Sequence, residues 1–199
     1  MTKLLSKLVS IKSLGTKRAG QVTALLDFAL THEAGFTPST VDNSTVQHRS
    51  SLVHYDVSQV EDAFLRRVAL AYRQVIDVLG MERKIVTKFE CQLTAHNDGH
   101  FYKVHNDNGT AGTRTRALSY VYYFHREPKG FTGGDLQIFH SRVENGFYVA
   151  DKTFEIVHPL NNRIVFFQSH HQHQVLPIQC SSKAFADSRF TLNGWLRQE

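Results

Sequence analysis

Ile85-Val86-Thr87-Lys88-Phe89-Glu90-Cys91-Gln92-Leu93 alternates residue by residue: Ile85, Thr87, Phe89, Cys91 and Leu93 fall on one side, and Val86, Lys88, Glu90 and Gln92 on the other. A period of two marks a strand, because successive side chains leave opposite faces of an extended backbone. The pattern continues downstream. Arg116–Phe124 is rich in aromatic and β-branched residues, and 135–139, 147–150, 153–157 and 163–168 read as further short strands. Asn145-Gly146 is a two-residue hairpin signal inside that series, and Arg189–Leu196 closes it.

Upstream of Ile85 the period is helical. Val22, Leu25, Leu26 and Ala29 share one face of 19–34, and Gly35 supplies a stop. Ser58-Gln59-Val60-Glu61 has the form of a capping box, and Val60, Phe64, Val68, Tyr72, Val75 and Leu79 form a stripe behind it that ends at Gly80. Such stripes are core contacts and carry no chemistry. Leu4, Leu5, Leu8, Val9 and Ile11 also have helix-like spacing, in a basic start without an acid before Asp27. A helix packed on the domain is expected there, rather than a targeting segment. Residues 1–82 thus read as mainly helical support and 83–199 as a β core, within one α+β domain in which helices buttress a sandwich or barrel.

The length, 199 residues, suits a single domain that folds without disulfides. Cys91 and Cys180 are far apart and form no Cys-x-x-Cys pair, which argues against a zinc ribbon or disulfide framework and for a reducing, cytoplasmic setting. No apolar run approaches a membrane span. The net charge of +5 favours anionic ligands, but no arginine-rich run or nucleic-acid motif accompanies it, so no nucleic acid and no membrane is expected as partner.

Twelve histidines must be weighed one by one, since most histidines are surface or structural residues. His105-Asn106-Asp107 follows a strand-like stretch; positions i and i+2 of an extended chain point the same way, so the imidazole and carboxylate converge. A third ligand is available in Ser169-His170-His171-Gln172-His173, after the apolar strand Ile164-Val165-Phe166-Phe167. Two histidines and a carboxylate form the facial triad of non-haem Fe(II) oxygenases. On these grounds alone His170, His171 and His173 compete. Arg189 begins the last strand; a guanidinium facing into a barrel needs an anion, and a carboxylate matches its fork.

Taken together, these motifs resemble the 2-oxoglutarate/Fe(II) oxygenase superfamily in its prolyl 4-hydroxylase-like branch. Gly99-x-x-Tyr102-x-x-His105-x-Asp107 matches the first metal motif and Arg116–Phe124 the strand after it. Gly133-Gly134-Asp135-Leu136 matches a Gly-Gly-x-Leu turn, Phe167-x-Ser169-x-x-x-His173-x-Val175-x-Pro177 the distal histidine block, and Arg189 to Trp195 the final strand. Phe36-Thr37-Pro38-Ser39 through Arg49-Ser50-Ser51 is similar more weakly.

The resemblance implies a double-stranded β-helix, of jelly-roll or cupin-like form, that hydroxylates an unactivated C–H bond and releases succinate and CO2. Its cofactors would be Fe(II), 2-oxoglutarate and O2, with ascorbate. His105, Asp107 and His173 become the metal ligands, His173 being chosen over its neighbours by its Val-x-Pro sequel. Arg189 becomes the anchor of the far carboxylate of 2-oxoglutarate, assisted by Tyr123, and Tyr102, Arg116 and Trp195 line the substrate side, where packing or surface salt bridging is the competing reading. The substrate would be a small molecule, an amino acid or a prolyl or peptidyl residue. Many relatives carry a Tyr before the first motif where this chain has Leu93-Thr94-Ala95, and the longer gap after His173 makes 178–188 a loop near the mouth. The alternative outside this class is a non-catalytic β-barrel that binds metal or a partner through its histidines.

Overall fold

The computed structural model describes residues 3–4, 7–12, 18–39 and 48–199. Strands β1 (Lys3–Leu4) and β2 (Leu8–Ile11) precede helix α1 (Arg18–Thr31). Strands β3 (Thr37–Pro38), β4 (Arg49–Ser50) and β5 (Leu52–His54) precede helix α2 (Ser58–Leu79). Then come β6 (Val86–His96), β7 (Phe101–His105), β8 (Arg116–Phe124), β9 (Thr132–Gly133) and β10 (Leu136–Glu144). The chain ends with β11 (Phe147–Val157), β12 (Arg163–Gln168), β13 (His173–Val175), β14 (Ile178–Gln179) and β15 (Arg189–Gln198).

Beside a two-stranded sheet in which β9 pairs with β14, two large antiparallel sheets form. One runs β1-β10-β13-β7-β4, with β11 on β10; the other runs β2-β12-β8-β15-β6-β5-β3. Alternation along β8 and β15 assigns every side chain. Leu118, Tyr120, Tyr122 and Phe124, with Phe190, Leu192 and Leu196, pack against Phe28, Phe64, Val68 and Val75 of the helices. The opposite faces carry Ser119, Tyr123, Arg189 and Thr191 toward the other sheet. There Tyr123, Val165 and Phe167 meet Leu136, Ile138 and Val157 in a second, smaller core. This jelly-roll of two facing sheets, with helices on one outer face, is the double-stranded β-helix that the motifs implied.

Helix α2 buries Phe64, Val68, Val75, Ile76 and Leu79, as its stripe requires. It stops at Gly80, whose φ of 68° only glycine adopts freely, with the Met81 N–H closing onto the Ile76 carbonyl at 2.9 Å. Truncating Phe64 to Ala would cost about 3–5 kcal/mol. Gly194 fixes how closely β15 approaches β6, because a Cβ there would lie 1.8 Å from the Glu90 carbonyl oxygen. The Asn145-Gly146 hairpin forms as expected, both residues at positive φ between the paired Glu144 and Phe147.

Several expectations are corrected. Residues 8–11 form strand, not helix: they pair with Ile164–Phe167 and cover the open edge of β12, with Val9 and Ile11 packing toward the helices and Leu8 toward the inter-sheet core. Lys3–Leu4 joins β10, and Leu5 lies outside the described residues. The first 82 residues therefore supply edge strands to both sheets as well as helices. The capping box does not form. Val57 is the N-cap, and the Ser58 hydroxyl donates to Asp56 Oδ1 at 2.7 Å instead. Helix α1 ends at Thr31, before a 3-10 turn over Glu33–Gly35. Segments 147–150 and 153–157 are one strand, because β10 is long enough to pair with both. No helix among the described residues is long and apolar enough to cross a membrane.

Candidate metal centre

Strands β13 and β7 pair with His173 directly opposite His105. Asp107 follows β7, its N–H bonded to the Ser169 carbonyl at 3.0 Å. One nitrogen from each histidine and one oxygen from Asp107 lie within 4.8 Å of one another. His105 Nε2 is 3.8 Å from Asp107 Oδ1, and His173 Nε2 is 3.5 Å from Asp107 Oδ2.

The surroundings orient each donor. His105 Nδ1 lies 2.8 Å from the Lys103 carbonyl, and His173 Nδ1 lies 2.9 Å from the His171 carbonyl. Each Nδ1 therefore carries a proton and donates it, which leaves the Nε2 lone pairs directed at the shared point. Burial, followed by the neighbouring His173, pushes His105 down to about 3. Burial acts to raise Asp107, but His173, His105, the Ser119 hydroxyl and Trp195 together outweigh it and hold the carboxyl below its usual range. Ser119 donates to Asp107 Oδ2 at 2.6 Å and is itself 2.9 Å from Ser169 Oγ. Two imidazoles and a carboxylate, each held by a second hydrogen bond, match the donor set of a non-haem Fe(II) site.

His170 and His171 face elsewhere. His170 stacks on Tyr148, and His171 is 3.3 Å from Ser141 Oγ.

The cluster opens on a cleft of ≈ 810 Å³ lined from both sheets. Arg189, 2% exposed, lies on its floor, which rules out a surface arginine at a strand start. Its Cζ is 4.9 Å from the centre of the Tyr123 ring. Arg189 Nε and the Tyr123 hydroxyl are both buried without a hydrogen-bond partner. Burial lowers Arg189 and raises Tyr123 to about 12. Asp135 offsets the burial of Arg189 only in part, and two orphaned donors beside a guanidinium with no ion pair among the described residues are what a bound carboxylate satisfies. Gly134 makes the space: a Cβ there would come 2.8 Å from Arg189 Cδ.

The remaining expected residues also line the cleft. The Tyr102 ring stacks on His105 with centroids 3.5 Å apart. Arg116 lies over the Trp195 ring, Cζ to centroid 3.6 Å, and its Nε donates to Glu90 at 2.6 Å, so it is both a cleft residue and half of an ion pair. Residues 178–188 do not line the cleft. Phe185 packs instead on Phe36 and Phe190, and Arg126 pairs with Asp187 at 3.2 Å, which holds this segment against the core.

Two residues were missed. His96 lies opposite Arg189 in the β6–β15 pairing and takes a hydrogen bond from Arg189 Nη1 on its Nδ1 at 3.3 Å. Its Nε2 is buried without a partner, and burial, then Arg189 and Arg49, hold it well below its usual range. His96 thus offers a neutral N–H donor within the cleft. Extending the alternation past Leu93 would have placed it beside Gln92 and Thr94. Arg49, on an edge strand paired with Tyr102, falls in the weaker N-terminal match, which gave it no role.

The sequence profile of the 2OG-Fe(II) oxygenase superfamily matches residues 91–197, just over half of the chain. An uncharacterized PKHD-type hydroxylase of Synechocystis sp. (strain ATCC 27184 / PCC 6803 / Kazusa) is 35% identical over 173 residues, which are 86% of this chain. The chain spans 57% of the length of that relative. Among solved structures, a Pseudomonas putida prolyl-4-hydroxylase superposes with a TM-score of 0.70 at 22% identity, covering 98% of this chain and 94% of that one. A prolyl hydroxylase from Trichoplax adhaerens, in complex with a hypoxia inducible factor oxygen degradation domain peptide fragment, gives 0.64 at 18% identity, over 96% and 83%. These likenesses establish the fold. By the profile match across its β core, the chain belongs to the 2OG-Fe(II) oxygenase superfamily, whose members depend on Fe(II) and 2-oxoglutarate.

Proposed function

We propose that the protein is a 2-oxoglutarate-dependent hydroxylase in which His105, Asp107 and His173 hold Fe(II). Arg189, with Tyr123 and His96, receives the far carboxylate of 2-oxoglutarate. One observation carries the reading: a convergent two-histidine, one-carboxylate cluster shares its cleft with a buried arginine that has no ion pair among the described residues. When bound, the metal and co-substrate supply the oxidation: one oxygen atom of O2 goes to the substrate C–H and the other to succinate, with release of CO2.

The protein's own part is positional. Ser119 and the two carbonyl acceptors fix the ligand atoms, the inter-sheet core keeps the floor dry, and Tyr102, Arg116 and Trp195 shape the substrate side. Ascorbate serves as an auxiliary reductant, and a reducing, cytoplasmic setting accords with the two free cysteines. A prolyl or peptidyl residue, a free amino acid or another small molecule is the substrate; the prolyl hydroxylases of the same fold support that range. Succinate release from 2-oxoglutarate, measured with and without Fe(II), tests the reading. Release that is indifferent to Fe(II), or no release under any condition, would sink it.

A further inference from the structure

The cleft carries more positive charge than its cofactors use. Arg49, Arg116 and Arg189 line it, against a single carboxylate, Asp107. Glu90, behind Arg116, is shared with Arg197, whose Nε and Nη2 lie 3.1 and 3.0 Å from Glu90 Oε1. Asp135 faces His158 at 3.0 Å. With Asp135 acting on Arg189 from outside the lining, four guanidiniums therefore face three carboxylates around the cleft. Fe(II) brings two positive charges and 2-oxoglutarate two negative ones, so the loaded cleft keeps the same surplus. Arg189 is satisfied by 2-oxoglutarate, and Arg116 has Glu90. Arg49 has neither.

Arg49 is held in place all the same. Its Nε donates to Ser51 Oγ at 2.8 Å, and that hydroxyl donates on to Ser39 Oγ at 2.9 Å. Its Cζ sits 4.9 Å from the centre of the Tyr102 ring, the ring that stacks on His105. Burial lowers its pKa, with only partial relief from Tyr102, Tyr55 and Asp107. Among the described residues no carboxylate pairs with it, and its two terminal nitrogens remain for a ligand. A fork with its Nε already engaged presents a flat two-donor end, which suits one carboxylate. Tyr55, 64% exposed, stands at the rim of the same cleft.

We propose that Arg49 forms an anion subsite for the primary substrate, which is a carboxylic acid anchored through its carboxylate one aromatic ring away from the metal ligands. This rests on the hydroxylase reading above and narrows its substrate class: a neutral internal peptide residue would leave Arg49 uncompensated.

The test uses the full chain with Fe(II), 2-oxoglutarate and O2. N-acyl amino acids, free amino acids and simple aliphatic and aromatic acids are each run beside their primary amides, with succinate release above the substrate-free level as readout. Acids should stimulate and their amides should not. Arg49→Gln should raise KM for the best acid about 30-fold or more, as expected for truncating one partner of a buried charged pair. Arg49→Lys, which keeps the charge and loses the fork, should fall between. Stimulation by amides as strong as by acids, no stimulation by any acid, or an unchanged KM in both variants overturns the subsite. Peptides with an internal Asp or Glu that stimulate while every free acid fails also overturn it. The wild-type chain without added substrate separates the two readings. If it neither binds nor consumes 2-oxoglutarate, the hydroxylase reading itself fails; if it does and shows no preference for acids, only the subsite fails.

Discussion

Arg189→Met should move stability and co-substrate binding in opposite directions. In the protein without co-substrate, Arg189 is 2% exposed, donates at 3.3 Å to one imidazole, and leaves its Nε unpartnered. A buried charge that lacks an anion costs several kcal/mol, so a methionine of similar length should stabilise this form by at least about 1 kcal/mol. For a domain of this size that is a rise in Tm of about 2–4 °C. Removing the cation from a bound carboxylate costs about 3–5 kcal/mol, a loss of two to nearly four decades in 2-oxoglutarate affinity. The assay is thermal unfolding under anaerobic conditions with Fe(II), with and without 2-oxoglutarate. At a hundred times its Kd the ligand adds about 2.7 kcal/mol, or about 5–10 °C, to the wild type, and should add about 1 °C or less to Arg189→Met. Fe(II) affinity should persist, since Arg189 is not a ligand. A variant with an undiminished 2-oxoglutarate shift places the anchor elsewhere, and a lower Tm without co-substrate refutes the argument from the unneutralised charge.

His105→Ala, Asp107→Ala and His173→Ala should each abolish Fe(II)-dependent succinate release, whereas His171→Ala, bonded toward Ser141, should keep most of it; the reverse at His171 and His173 would overturn the ligand assignment. Tyr123→Phe removes one donor to a charged group and should weaken 2-oxoglutarate binding by about 1.5–3 kcal/mol, less than Arg189→Met, as calorimetry can measure. Gly194→Ala should leave little folded protein by circular dichroism, since its Cβ would overlap the Glu90 backbone; a near-wild-type melting curve would contradict the close strand approach. Burial pushes His170 down to about 4, so the fold favours its neutral form. That contribution is complete above about pH 6.5 and is lost as pH falls toward 4. At pH 5 the loss is about 2 kcal/mol before screening and about 1 kcal/mol after it, because the ring is only partly buried. Urea titrations at pH 7 and pH 5 should show His170→Phe losing less stability on acidification than the wild type; an equal loss in both would sink the assignment.

What the sequence determined by itself rests on short-range geometry. The alternation in 85–93 and 116–124, the Asn145-Gly146 turn and the stripe of α2 each follow from one element's own period, and each formed. The His-x-Asp pair was legible from its i, i+2 spacing, although Asp107 lies just past the end of β7 and is placed by bonds to Ser169 and Ser119. Local geometry did not choose among His170, His171 and His173; motif resemblance did, and only the pairing of β13 with β7 brings His173 to His105. Residues 8–11 show the limit clearly: their apolar spacing fits a helix, but the unpaired edge of β12 supplies backbone partners that a local pattern cannot reveal. His96 and Arg49 acquire their meaning from neighbours 93 and 53 positions away, Arg189 and Tyr102. A guanidinium's role depends on whether an acid lies within reach. Chain distance does not encode that: the strand register decides which charges share a cleft and which of them is left without a partner.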